Sequence, residues 1–254
     1  MAGYVDPHSH HQFSNFSTLR VLAEAGYSAV ACLAYLPVRP SSHHTLRDLF
    51  EWLVDAETER LRRAGLRPIV GVGIHPRNVP RTGRSDALAV VEEFLPEAQV
   101  LGEVGLETGL LSEREVFEAQ LKLADRMDKP VVVHTPRVDK AAVLRGELRI
   151  LEGSSLQRER VLVDHLTPGL VGAVPEGYFL GLTVQPGKLS EEDVLRIASE
   201  NPDLLDRLVV DSDCGRDESD PLAVMKTAQH LLLALDPERA SALASENARR
   251  LLGI

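Results

Sequence analysis

Short apolar runs and stretches of helical spacing alternate along the whole chain. The runs fall at 3–6, 29–34, 68–74, 100–104, 130–133, 160–163, 178–184 and 208–210. Several are unbroken Val, Ile and Leu, which is how parallel strands covered by helices read. Helical spacing occupies 18–25 and 46–64, which close at Gly26 and Gly65. It recurs at 113–127, where Val116, Phe117, Leu121 and Ala124 share a face, and at 193–199 and 221–235. The last helix, 237–252, opens with Pro237 in its first turn.

Eight strand–helix units of roughly 30 residues predict an α/β fold, a single (β/α)8 TIM barrel over residues 1–254. An open doubly wound sheet competes, but for nucleotide binding it carries a glycine-rich first turn. The first turn here is Asp6-Pro7-His8-Ser9-His10-His11 instead, and no phosphate-cradling G-x-x-x-x-G-K-[ST] run occurs.

Composition narrows the function. The chain is 44% hydrophobic and 26% charged, with a formal net charge of −10. That acidity gives no long-range attraction to nucleic acid or anionic membrane, although a basic pocket or a bound metal reverses the sign locally. Two cysteines, Cys32 and Cys214, form neither a disulfide framework nor a zinc knuckle, which points to a reducing compartment. No apolar run approaches a membrane span and the N-terminus lacks a signal-peptide pattern, so the expected location is cytoplasmic, away from membranes.

In a barrel, chemistry sits where the strands end. The runs end in Asp6-Pro7-His8-Ser9-His10, His75-Pro76, Gly102-Glu103, His134-Thr135-Pro136, Asp164-His165 and Asp211-Ser212-Asp213. Of the nine histidines, all but His230 lie at predicted strand ends or in the loops that follow. His8 and His10 are two apart, a spacing that puts both imidazoles on one strand face. His134, His165, Glu103 and Asp213 approach the same rim. Such a cluster is left unsatisfied without a cation in its midst. Nitrogen and oxygen donors suit zinc, manganese, nickel or iron better than calcium, and six are about right for two ions sharing a bridge.

These motifs, in order along nearly the whole chain, resemble the TatD-type metal-dependent hydrolases of the amidohydrolase superfamily. The matching pieces are D-P-H-S-H at 6–10, G-I-H-P at 73–76, G-E-V-G-L-E at 102–107 and F-E-A-Q-L-K-L-A at 117–124. P-V-V-V-H-T-P at 130–136, D-H at 164–165, D-S-D at 211–213 and E-N-A-R-R-L-L at 246–252 complete the set. The resemblance implies two divalent ions (Zn, Mn, Ni or Mg). His8 and His10 would hold the first, His134 and His165 the second, and Glu103 would bridge them. Asp213 would complete the site and take the proton of the attacking water, so Asp213 and Glu103 are the expected catalytic residues. Many superfamily relatives bridge with a carbamylated lysine on strand four; here that strand offers Glu103, as in the TatD branch. The chain departs from the usual pattern at Thr135-Pro136-Arg137, at Asp164-His165-Leu166-Thr167-Pro168, at Gly181 to Lys188, and at Asp211-Ser212-Asp213. The departures leave the metal site intact and the substrate open.

Plainer readings stand beside these. His8 and His10 could be a hydrogen-bonded strand-end pair, Glu103 a salt-bridging loop carboxylate, and His134 or His165, taken singly, a satisfied core histidine. Asp211 competes with Asp213 and is expected to orient a neighbour instead. His75 and Arg137 are expected to contact substrate; Arg77 and Lys188 lie on the same loops and could take phosphate oxygens. His11, His43 and His44 are expected in solvated loops. Cys32 is expected to be an inert core residue, and Cys214 is left open beside Asp213.

The implied reaction is phosphoester hydrolysis, of a small phosphoester or a nucleic-acid end. A lactonase or amidase of the same superfamily is the alternative enzyme, and a non-catalytic metal-binding accessory barrel the alternative from another class.

Overall fold

The computed structural model describes residues 3–215 and 217–254. Eight strands form one all-parallel sheet in sequential order: β1 (Tyr4–Ser9), β2 (Tyr27–Leu33), β3 (Arg67–Val72), β4 (Val100–Gly105), β5 (Val131–His134), β6 (Val161–Val163), β7 (Phe179–Thr183) and β8 (Leu208–Asp211). Each coincides with one predicted run. The sheet closes where the His10 amide donates to the Cys214 carbonyl at 2.7 Å and the Asp213 amide to the His8 carbonyl at 3.0 Å. Asp6 reinforces the seam by accepting from the Ser212 amide and hydroxyl. The fold is a (β/α)8 barrel.

Side-chain alternation builds two cores. Val5, Ala29, Ala31, Leu33, Ile69, Val100, Val132, Leu162, Phe179 and Val209 fill the barrel interior, and the intervening residues pack outward under the helices. The helices are α1 (Phe16–Glu24), α2 (His43–Glu51), α3 (Thr58–Ala64), α4 (Arg84–Phe94), α5 (Leu111–Arg126), α6 (Lys140–Glu152), α7 (Glu191–Glu200), α8 (Ala223–Leu231), α9 (Pro237–Ser241) and α10 (Asn247–Leu252). The predicted 46–64 helix is α2 and α3 joined through a π-helical stretch, Trp52–Glu57, and a second such stretch, Ala242–Glu246, joins α9 to α10. The helices α4 and α6 went unpredicted. The first ends without a stop glycine, and a buried glutamate, Glu147, interrupts the apolar stripe of the second.

The terminal E-N-A-R-R-L-L motif closes the barrel bottom. Ala248, Leu251 and Leu252 cap the interior core, while the Asn247 amide donates to the Leu205 and Leu208 carbonyls and Arg249 to the Gly3 carbonyl. No helix among the described residues is long and apolar enough to cross a membrane.

Gly181 in β7 marks where the interior is tightest. A Cβ there would lie 2.0 Å from Asp164 Oδ1 and 2.8 Å from the Asp164 Cα. Gly181→Ala is therefore expected to destabilise the fold by about 1–3 kcal/mol, as overpacking does, read as a lowered urea midpoint. An unchanged midpoint would mean that Asp164 can swing aside freely.

Candidate metal centre

The strands deliver their ends to the mouth in two ways. Some arrive in phase with the interior core: His134 is two beyond Val132, Asp164 two beyond Leu162, and Asp211 two beyond Val209. Others arrive only because the strand geometry breaks. The β4–β5 register shifts between Leu101 and Val104, which turns Glu103 inward. The β1–β2 register shifts between Asp6 and Ser9, below His8 and His10. His165 and Asp213 take left-handed backbone angles, φ 57° and 42°, that non-glycine residues rarely adopt.

All six expected ligands converge. Glu103 is 2% exposed and stands at the centre. Its Oε2 faces His8 Nε2 at 3.3 Å and His10 Nε2 at 3.4 Å; its Oε1 faces His134 Nδ1 at 2.5 Å and His165 Nε2 at 3.1 Å. Asp213 Oδ1 joins the first set, 3.3 Å from His10 Nε2 and 3.7 Å from His8 Nε2. One carboxylate thus divides four imidazoles into two pairs, one pair on each oxygen.

The far nitrogen of each of these rings has an acceptor. His8 Nδ1 bonds Asp164 Oδ2, and His10 Nδ1 bonds the Leu33 carbonyl at 2.9 Å. His134 Nε2 bonds Glu107 Oε2 at 3.0 Å. His165 Nδ1 lies 2.7 Å from Thr183 Oγ1, whose own hydroxyl is directed to Asp164 Oδ1 at 3.2 Å, and 3.1 Å from the Lys188 ammonium. The acceptors on His8, His10 and His134 fix the tautomer and leave the inner nitrogen as a lone pair, the arrangement of metal-binding histidines. His75 is wired the opposite way. Its Nδ1 accepts from the Arg77 amide at 3.0 Å, so Nε2 carries the proton and faces Glu103 Oε2 at 3.5 Å as a donor.

The electrostatics fit a cation. Burial pushes the Glu103 carboxyl up, but His8, His134 and His75 overcome it and hold it well below its ordinary value. Asp213 behaves likewise, with Lys188, His10, His8 and His165 outweighing burial. Burial lowers His8, His10 and His134, and their carboxylate neighbours more than reverse this, lifting His134 to about 9. Burial and the Lys188 charge lower His165 to about 4. Burial, aided by His134, His10 and Arg77, keeps His75 neutral. His8 Nε2 is buried without a well-directed hydrogen bond, although two carboxylates lie close. A divalent ion satisfies that orphaned nitrogen and replaces protons that otherwise screen the carboxylates. Ligand atoms of His8, His10 and Asp213 lie within 4.8 Å of one another, as do those of His75, Glu103 and His134, and of His8, Asp164, His165 and Asp211.

The cluster floors a cavity of about 170 Å³, rimmed by Tyr35, Arg77, Arg137, Gln185 and Lys188. Tyr35 packs between His10 and His75, with ring centroids 5.1 Å from each. Arg137 is exposed and reaches Gln185 Oε1 at 3.4 Å. Lys188 Nζ pairs with Asp213 Oδ2.

Four functional neighbours escaped the sequence reading: Glu107, Asp164, Thr183 and the Leu33 carbonyl. Glu107 and Asp164 sit inside the motifs G-E-V-G-L-E and D-H, so the signal was a second acid beside each expected ligand. Asp211 is buried beside Asp164, with neither carboxylate oxygen hydrogen-bonded among the described residues, and burial with Asp164 and Asp6 drives its carboxyl well up. Cys214 joins none of the ligand groups, and burial pushes its thiol up to about 11. Cys32 is buried as expected, its thiol 3.7 Å from Glu57 Oε1. His11 is not solvated. The turn after β1 folds it against Cys32, fully buried, with Nδ1 2.9 Å from Ser14 Oγ. His43 and His44 open α2, the first partly exposed and the second exposed.

Comparison with known proteins matches residues 5–253 to the family described as TatD related DNase. An uncharacterized metal-dependent hydrolase of Methanocaldococcus jannaschii is 28% identical over 249 residues, 96% of this chain and 98% of the relative. The crystal structure of a TatD-like protein from Archaeoglobus fulgidus is 34% identical with a TM-score of 0.84, covering 99% of this chain and 100% of that one. A TatD homologue from Escherichia coli shares the fold at 19% identity, with a TM-score of 0.74 over 99% of this chain and 98% of that one.

Two outcomes test this geometry. Asp164→Asn keeps the shape but loses the charge that orients His8, and is expected to weaken metal binding by about 10–100-fold, read by competition with a chromogenic chelator. Glu147 lies behind β4, where its Oε1 accepts from the Leu106 amide at 2.9 Å. Burial raises its carboxyl to about 8, against an ordinary 4.5. The unfolded chain ionises first, so this group costs stability progressively as pH rises from 4.5 to 8. Glu147→Gln should remove that slope and gain on the order of 3 kcal/mol at pH 8 relative to pH 4.5, read by urea unfolding across pH. Parallel wild-type and variant curves would exclude a neutral Glu147.

Proposed function

The chain belongs to the TatD related DNase family and is a metal-dependent hydrolase, and from that premise we propose that it hydrolyses phosphoester bonds. We read residues 1–254 as one catalytic unit acting in the cytoplasm. The observation that carries the proposal is the shared cavity: a floor of ligand-competent imidazoles and carboxylates under a rim of Arg77, Arg137 and Lys188. Cationic side chains at that height favour a substrate whose unreactive oxygens are anionic.

His8, His10 and Asp213 would hold one divalent ion and His134 and His165 a second, with Glu103 offering one oxygen to each set. Divalent ions there would supply Lewis acidity, lowering the pKa of a water toward neutrality and polarising a phosphoryl oxygen. Asp213 accepts the proton of the attacking water on its carboxylate and returns it to the departing oxygen. Lys188 keeps that carboxylate ionised and in place through Oδ2. His75 donates from Nε2 to a substrate oxygen, and Arg137 draws the anion in. The net charge of −10 opposes a long nucleic-acid track. The cavity, smaller than a typical ligand pocket, takes a small phosphoester or the end of a nucleic-acid strand.

Protein purified without chelator is expected to carry two equivalents of transition metal by elemental analysis, falling to one or fewer in Glu103→Gln. Metal-loaded protein should cleave members of a phosphoester panel, including phosphorylated oligonucleotide ends, in preference to a lactone and amide panel. Asp213→Asn should lower kcat by about 10²–10⁴-fold. Turnover of lactones or amides alone would replace this reading with the other hydrolase chemistry, and turnover of neither panel would leave an accessory barrel.

A further inference from the structure

A second cavity, also about 170 Å³, adjoins the metal cavity and shares Arg137, His165 and Lys188 with it. Lys140, Thr167 and Thr183 line its far side. Three cationic side chains thus enclose a space whose lining contains no carboxylate, in a protein that is acidic overall. Lys188 is engaged by Asp213, whereas Arg137 reaches the Gln185 side chain and Lys140 main-chain oxygens. Lys140 is half buried and its Nζ touches only main-chain oxygens, Thr135 at 3.2 Å and His165 at 2.6 Å. Lys188 and Arg137 act on it as like charges, partly offset by the Asp164 and Glu147 carboxylates. Repelling cations around a cleft are stabilised when an anion enters. The His165 carbonyl that holds Lys140 belongs to a proposed metal ligand, so the second cleft is built onto the reaction centre.

We propose that this side cavity seats a second phosphate of the substrate, with Lys140 and Arg137 as its principal donors and Thr167 at its wall. The inference rests on the phosphoester reading and sharpens it. The scissile phosphate occupies the metal cavity, and a phosphate one unit away on the same molecule occupies the side cavity. Substrates with that chemistry are doubly phosphorylated nucleosides and the terminal, 5′-phosphorylated dinucleotide of a single strand.

The test uses the metal-loaded protein. Calorimetry should show a nucleoside 3′,5′-bisphosphate binding about tenfold or more tightly than the 3′- or the 5′-monophosphate, the worth of one charge-assisted contact. A 5′-phosphorylated dinucleotide, against its unphosphorylated counterpart, tells the strand end from the free nucleotide. In Lys140→Met and in Arg137→Ala the advantage of the second phosphate should fall to near onefold, and Lys140→Arg should restore most of it. Two results overturn the site. One is equal affinity for mono- and bisphosphate in the wild type. The other is a Lys140→Met variant that weakens both by the same factor, since Lys140 would then only brace the Thr135 and His165 main chain. Phosphoester turnover without the affinity difference sinks this site alone. The affinity difference without turnover supports the site and sinks the hydrolytic reading.

Discussion

The structure turns on one buried carboxylate. Glu103 places each of its oxygens against a different pair of imidazoles, nearly sealed from water. A lone ion at that depth would cost several kcal/mol to desolvate. It stays ionised only because positive partners arrive from several strands at once. Those partners need bracing in turn, and the braces come from elsewhere: Asp164 after β6, the Leu33 carbonyl of β2, Thr183 of β7 and Glu107 after β4. Only a closed barrel brings all these strand ends to one rim.

The helices supply more than cover. Gln120 of α5 bonds both the amide and carbonyl of Ile74, which sets the end of β3 just before His75. Glu113 of the same helix accepts from the amides of Glu107, Thr108 and Gly109, so the loop that presents Glu107 to His134 is held from behind. Glu147 of α6 holds Leu106. Three polar side chains on helix faces that otherwise pack as core therefore fix the loops of the mouth. The barrel bottom is closed by packed aliphatic groups from α10, pinned by Asn247 and Arg249 on main-chain carbonyls. Stability sits at one end and chemistry at the other.

Charge is distributed in the same sense. The protein as a whole is acidic, yet Arg77, Arg137, Lys140 and Lys188 gather around the two connected cavities. Over distances beyond a Debye length of about 8–10 Å the net charge is screened, and inside the mouth the local cations dominate.

Eight apolar runs were enough to identify the strands and their parallel order, because residues buried on both faces leave an unbroken aliphatic signature. Histidines and acids at the run ends marked the mouth, and the period of two carried His134 inward from Val132. Helices α4 and α6 lacked the stop glycine or the clean stripe that local reading depends on. No periodicity could bring Glu103 or His165 to the centre: the first needs a register break in β4, the second a left-handed turn after β6, and both follow from how neighbouring strands pair. The same holds for the wiring of the rings. His75 and His10 look alike in the chain, yet one accepts a main-chain proton and the other donates one. A histidine's role depends on which atom folds against its far nitrogen: for His10 a carbonyl of another strand, for His75 the Arg77 amide of the turn that follows it.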